Sequence, residues 1–183
     1  MPFMSILTRH HPGRPNSLKR CLESIDLQTD RDFDHLIFHD DKKGGIPSAN
    51  RIFFERRNFV TGNYIFMLDD DDFLRAPDFV SDMRNISENC GLPDVIVIRM
   101  LMENVVYPKM SVWGSGSVLP GTIGTSCIVT SNRLWHTCVD EFRTTDTPGD
   151  FNFINSIFSK VPTIQWRDKV YVEVPQLSWG RPE

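Results

Sequence analysis

The sequence has no run approaching the roughly 20 apolar residues of a membrane-spanning helix. Its opening Met1-Pro2-Phe3-Met4-Ser5 has no signal-peptide pattern. A basic excess is also missing: 20 Lys and Arg face 24 Asp and Glu, for a formal charge of −4. Binding of nucleic acid by general phosphate neutralisation is therefore not expected. Cysteine is scarce. Cys21, Cys90, Cys127 and Cys138 form no Cys-x-x-Cys pair and read as mostly buried thiols of a reducing, cytoplasmic compartment. No glycine-rich phosphate cradle follows the first apolar stretch, which gives way instead to Thr8-Arg9-His10-His11-Pro12. No Gly-x-Ser-x-Gly opens a helical pattern, since Gly114-Ser115-Gly116-Ser117 lies in a loop-like stretch.

What is present points to one globular domain spanning 1–183, in two unequal halves, 1–90 and 91–183. Hydrophobic residues at 40 % and aromatics at 11 % exclude a disordered chain. A chain of this length buries about 70 % of its unfolded surface, enough for a core without metal or disulfide staples. Met4 to Leu7 reads as a first strand. Leu18, Cys21, Leu22 and Ile25 recur at helical spacing, with Asn16-Ser17 as a cap. Phe33 to Phe38 is a second strand, and a helix is expected from Pro47 to about Phe59. Tyr64-Ile65-Phe66-Met67-Leu68 is continuously apolar, as in a strand covered on both faces. Pro77 is expected to open a helix with Phe79, Val80, Met83 and Ile86 inward, ended by Cys90-Gly91. This alternation implies an α/β, doubly wound and mostly parallel sheet with helices on both faces. The second half is less regular: strands at Asp94–Met102, Thr125–Thr130 and Val170–Val174, and a helix at about Asp150–Ser159.

Asp69-Asp70-Asp71-Asp72 follows the apolar strand directly, and Asp40-Asp41 ends the second one. In an open parallel sheet, ligands bind at the carboxyl ends of the strands. Carboxylates packed this tightly repel one another and gain from a divalent cation, which in turn bridges diphosphate oxygens. The plainer reading is that Asp72 caps a helix and its neighbours are solvated. That reading does not explain four charges at the tip of a central strand.

The residues resemble a known family. Thr8 to Thr29 runs Thr-x-x-x-x-x-Arg-Pro-x-x-Leu-x-Arg-x-Leu-x-Ser-Ile-x-x-Gln-Thr. Leu36-Ile37-Phe38-His39-Asp40-Asp41, Ala49-Asn50-Arg51, Gly62 to Asp72, and Pro77-Asp78-Phe79-Val80 follow in order. Together these are similar to family 2 glycosyltransferases of the GT-A fold, over residues 4 to about 85. The resemblance implies a nucleotide-sugar-binding half at 1–90 and a reduced acceptor half at 91–183. Thr8 and Arg9 would line the nucleotide pocket, with Asn50 on the following helix. Asp40 would accept from the base, typically uracil N3–H. Asp69 would approach the ribose or sugar, Asp70 would lie between, and Asp71 would bind Mn²⁺ or Mg²⁺. A general base is expected at Asp150, where Gly149 stands in place of the usual Glu, with Asp146 as the fallback. Asp150 after Pro148-Gly149 also reads as an ordinary N-cap. Gly121 to Ser126 resembles the stretch where donor and acceptor sugars meet, or is a loop entering a strand. Trp113 and Trp179 either stack on sugars or pack in the core. The late His that many relatives use at the metal or diphosphate is missing from 174–180.

The implied activity is inverting transfer of a sugar from a nucleotide-sugar donor, a UDP-sugar, to a glycan or other hydroxyl acceptor. The alternatives are a nucleotide-sugar or glycan-binding remnant without catalysis, and a sugar nucleotidyltransferase. The last would want the phosphate loop that Thr8 to Pro12 does not provide.

Overall fold

The computed structural model describes residues 1–40, 45–143, 149–160 and 163–175. Asp41, Asp146 and Trp179 lie outside the described residues, as does most of the 174–180 tail. The first half follows the expected alternation. Strands β1 (Met4–His10), β2 (Phe33–His39) and β3 (Tyr64–Met67) are separated by helices α1 (Pro15–Asp26) and α2 (Gly45–Glu55). A 3-10 turn at Arg57–Phe59 follows α2, and a two-residue strand, β4 (Phe73–Leu74), precedes helix α3 (Phe79–Asn89). The second half holds β5 (Val95–Met102), β6 (Val105–Tyr107), β7 (Ile128–Ser131), α4 (Asn132–Cys138), α5 (Gly149–Lys160) and β8 (Ile164–Val174).

The main sheet runs β2-β1-β3-β7-β5-β8-β4, with β6 hydrogen-bonded to β5. Pairings β1–β2, β1–β3 and β5–β8 are parallel, whereas β7 is antiparallel to both β3 and β5, and β4 to β8. Five of the seven strands on this path therefore point the same way, and the sheet is mixed. β1 from Met4 to Thr8, β3 throughout and β5 from Val95 to Met100 are buried, so both faces of the central strands are covered.

Several boundaries differ from the sequence expectation. Thr125–Cys127 forms a 3-10 turn, and the strand begins at Ile128. The Asn132–Cys138 helix, capped by the Ser131 hydroxyl accepting from the Leu134 N–H, was not expected. β8 begins at Ile164, not Val170. No helix follows Asp72 directly: the chain enters β4. On α1 the buried stripe is Ser17, Cys21, Ser24 and Ile25, while Leu18 and Leu22 are only half-buried. The reason is polar. Ser24 Oγ accepts from the Leu74 N–H, and Gln28 bonds Ala76 O and the Val80 N–H, tying α1 to β4 and α3.

Two aromatic groups hold the layers. Phe66 of β3 packs on Phe79 of α3 at 4.6 Å, and Phe79 on Tyr171 of β8 at 5.5 Å. Phe53 of α2 meets Phe142 at 5.4 Å, and Phe142 stacks on Phe153 of α5 at 4.6 Å. Each such pair contributes about 0.5–1.5 kcal/mol beyond its buried area. The second group fixes α2 and α5 beside each other and so sets where Asn50 and Asp150 stand.

Gly62, in the turn before β3, lies against the first strand: a Cβ there would sit 2.3 Å from Ser5 N and 2.6 Å from Met4 C. Both are backbone atoms and cannot yield. Gly62→Ala is expected to lose about 3 kcal/mol or more by urea unfolding. Gly116→Ala, where a Cβ meets nothing within 4 Å, should stay within about 0.5 kcal/mol of the parent.

Candidate functional site

The carboxyl ends of β1 and β3 lie side by side, so Thr8 to Arg14 faces Asp69 to Asp72. The join is also made by backbone, with the Leu68 N–H donating to Leu7 O at 2.9 Å and the Asp70 N–H to Arg9 O at 3.2 Å. The Asp40 N–H donates to His10 O at 3.0 Å, which brings the end of β2 to the same edge.

Arg9 is the centre of the cluster. Its Nε donates to Asp69 Oδ1 at 2.7 Å, and one terminal nitrogen donates to Asp69 Oδ2. The other terminal nitrogen donates to Asn50 Oδ1 of α2 and lies 3.4 Å from Asp150 Oδ1 of α5. The guanidinium carbon is also 5.1 Å from the centre of the Phe53 ring. Burial alone would lower the Arg9 pKa, but Asp69 and Asp150 more than reverse this and hold it above its ordinary value. One arginine thus joins β1, the acidic run, α2 and α5.

The four aspartates are not equivalent. Asp70 is buried and accepts from the His11 N–H at 2.6 Å, with His10 Nδ1 at 3.0 Å and Arg14 at 3.3 Å. Asp72 is buried and accepts from the Ser126 hydroxyl at 2.7 Å. Asp69 and Asp71 keep 28 % and 19 % of their side chains exposed, and Asp150 keeps 34 %, so these three face outward. Asp71 Oδ2 accepts from Arg14 at 2.6 Å.

Five carboxylates stand here against the guanidinium groups of Arg9 and Arg14, and the excess negative charge raises proton affinities. Desolvation, then Asp69, pushes Asp71 up to about 6 even with Arg14 beside it. Asp72 rises well above the usual carboxylate range through burial and then Asp69 and Asp71. Asp150 rises because desolvation outweighs the opposing Arg9, with Asp69 adding to it. Among the described residues no three His, Cys, Asp or Glu side chains converge as a metal cage. The donor set nonetheless fits a hard divalent cation in character: partly exposed carboxylate oxygens on Asp69, Asp71 and Asp150, in a group of five carboxylates against two guanidinium groups.

Thr8 lies beneath this edge, wholly buried, its Oγ1 2.9 Å from His35 Nε2 and 4.0 Å from Cys21 Sγ. Burial pushes His35 down to about 4 and the Cys21 thiol up to about 12, so the group is neutral and the thiol unreactive. Asp150 is the second residue of α5 rather than its cap. A Cβ at Gly149 would sit 2.8 Å from Asn50 Nδ2, so a larger residue there would have to displace the Asn50 amide. Trp113 packs edge-on to Trp166 at 4.9 Å, under the Arg99 guanidinium at 3.5 Å. Gly121 to Ser126 reaches the acidic run through Ser126. Arg14 had no role of its own from sequence, and Ser126 entered only as the last residue of the Gly121 to Ser126 stretch, not as a partner of Asp72. Arg14 had a signal, being the Arg of the Arg-Pro step directly before α1, whereas Ser126 is visible only through the antiparallel return of β7.

No family model matches the sequence, and no curated protein matches it by sequence. Solved structures do match the fold. The chain is similar to S. aureus TarS 1–349 in complex with UDP-GlcNAc, at TM-score 0.73 and 13 % identity, over 98 % of this chain and 60 % of that one. It is similar to the mannosyltransferase PcManGT from Pyrobaculum calidifontis, in complex with GDP-Man and Mn²⁺, at TM-score 0.63 and 13 % identity, over 97 % and 59 %. A glycosyltransferase involved in glycosylating the major capsid of PBCV-1 matches at TM-score 0.61 and 9 % identity, over 94 % and 93 %. The chain thus shares the fold of these three structures and spans about 60 % of TarS 1–349. No helix among the described residues is long and apolar enough to cross a membrane.

Because the folded pKa of Asp71 lies above its unfolded value of about 3.9, its charge disfavours the fold above pH 6, and this penalty fades as pH falls toward 4. Without divalent cations, Asp71→Asn is expected to be more stable than the parent by about 1–2 kcal/mol at pH 7.5. The gap should close by pH 4, read by urea unfolding at the two pH values.

Proposed function

We propose that this chain is a GT-A-type glycosyltransferase domain that moves a sugar from a nucleoside-diphosphate donor, a UDP-sugar, to a hydroxyl acceptor with inversion. The observation that carries the reading is the meeting of Asp69 and Asp150 on Arg9, across 80 intervening positions of sequence. A carboxylate expected at the donor and one expected to act as base are thereby brought to one strand edge. The solved relatives with UDP-GlcNAc and with GDP-Man and Mn²⁺ support the donor class.

In this reading Asp40 accepts from the base and Asp69 from the ribose or sugar. Asn50 holds Arg9 in place, while Thr8 and Asp70 support the pocket from beneath. Asp150 takes the proton of the acceptor hydroxyl as its oxygen attacks the anomeric carbon and the bond to the diphosphate breaks. A raised carboxylate pKa suits this, because a base works best with proton affinity near the working pH. Direct displacement with a single base inverts the anomeric carbon. A divalent cation, Mn²⁺ or Mg²⁺, held at Asp71 supplies neutralisation of the leaving diphosphate when bound.

The test is a thermal-shift titration with UDP, GDP, dTDP and CDP, each with and without Mn²⁺, followed by UDP release from UDP-sugars. One nucleotide is expected to stabilise the chain in a Mn²⁺-dependent way, and Asp71→Asn should abolish that dependence. Asp150→Asn should keep the shift and lose turnover about 100-fold or more. A shift without Asp150-dependent turnover would mean a binding domain, and no shift with any nucleotide would sink the donor site.

A further inference from the structure

We propose that Arg14 is a binding residue for the donor diphosphate, held on Asp71 until a divalent cation displaces it. The inference rests on the proposed function and adds a residue to its donor site. Its basis is the contrast between two arginines. Arg9 uses its Nε and both terminal nitrogens, two of them in a fork on Asp69. Arg14 shares a single terminal nitrogen between Asp71, at 2.6 Å, and Asp70, at 3.3 Å. Its Nε is buried and has no hydrogen-bond partner among the described residues. A buried donor with no acceptor is destabilising, and a native fold seldom keeps one without a use.

Arg14 stands where its guanidinium and a cation at Asp71 compete for the same oxygen. A divalent ion and a guanidinium on one carboxylate would repel each other, and partial burial leaves little water to screen them. A cation arriving on Asp71 therefore drives Arg14 off. Diphosphate oxygens beside that cation are the acceptors that match a guanidinium fork, and they take up the Nε donor left idle on Asp71. The exchange leaves the loop anchored, because Asp70 retains the His11 N–H at 2.6 Å and His10 at 3.0 Å. The residue that closes the acidic run in the free chain thus becomes a donor-binding group in the loaded one.

The experiment is isothermal titration of the full chain with Mn²⁺ alone, and, at saturating Mn²⁺, with UDP, GDP, uridine and guanosine. Parent, Arg14→Met and Arg14→Lys are compared, with folding checked by circular dichroism. Arg14→Met is expected to bind Mn²⁺ alone about 5–10-fold more tightly, its competitor being gone, and the favoured diphosphate at least 10-fold more weakly. Its affinity for the matching nucleoside should not change. Arg14→Lys keeps the charge but not the fork, so it should bind Mn²⁺ like the parent and the diphosphate several-fold more weakly; it decides the case if Arg14→Met does not fold. Unchanged or weaker Mn²⁺ binding in Arg14→Met, or unchanged diphosphate binding in either variant, overturns the proposal. A parent that binds neither diphosphate defeats the donor-site reading instead, and the Mn²⁺ arm still reports the competition at Asp71.

Discussion

Four consecutive carboxylates at the end of a buried strand need counter-charge at fixed places, and most of this edge of the molecule is arranged to supply it. Burial strengthens repulsion among them, because water no longer screens the pairs. Arg9 from β1 and Arg14 from the following turn provide two positive charges, and Ser126 provides a neutral donor for Asp72. The compensation is incomplete. Asp71, Asp72 and Asp150 all hold protons more readily than ordinary carboxylates. By charge alone, asparagine at one of these positions would relieve the repulsion; on the proposed reading, the excess is what a cation at Asp71 would offset.

The arrangement depends on packing that lies outside the charges. Arg9 reaches Asn50 and Asp150 because Phe53, Phe142 and Phe153 clamp α2, the 3-10 turn at Val139–Arg143, and α5 into one block. Gly149 lets α5 begin against the amide of Asn50. Cross-strand backbone bonds between β1 and the start of the acidic run fix the other side. Polar geometry at the edge is therefore set by apolar contacts beneath it, which tolerate little change in shape.

The first half of the fold was legible because each apolar run is bounded by turn residues and each helix shows its own period. The second half was not, for a physical reason. β7 enters the sheet antiparallel between β3 and β5 after a long irregular stretch, and no local pattern specifies a pairing made at that sequence distance. The same holds inside the site. Asp69 to Asp72 stood out by density, and Asp150 by resemblance, but which aspartates turn inward depends on partners far away. Asp70 and Asp72 are buried because His10, His11, Arg14 and Ser126 meet them, and nothing within the tetrad distinguishes them from Asp69 and Asp71.

Sharing one guanidinium makes Asp69 and Asp150 electrostatically interdependent. Arg9 forks onto Asp69 and only touches Asp150, so the tighter partner has first claim on its charge. Whatever engages Asp69 from outside relaxes that claim and leaves more of Arg9 for Asp150; whatever protonates Asp150 returns it. Linkage requires the two effects to be equal in size. On the proposed reading, the donor contact and the acceptor base are then not independent devices on a common scaffold. The state of one sets the proton affinity of the other through a single side chain, at a distance where a unit charge is worth about 4 kcal/mol at an effective dielectric of 20. An arginine at the end of β1 is what this coupling needs, since its planar fork holds Asp69 while leaving a nitrogen free to reach α5.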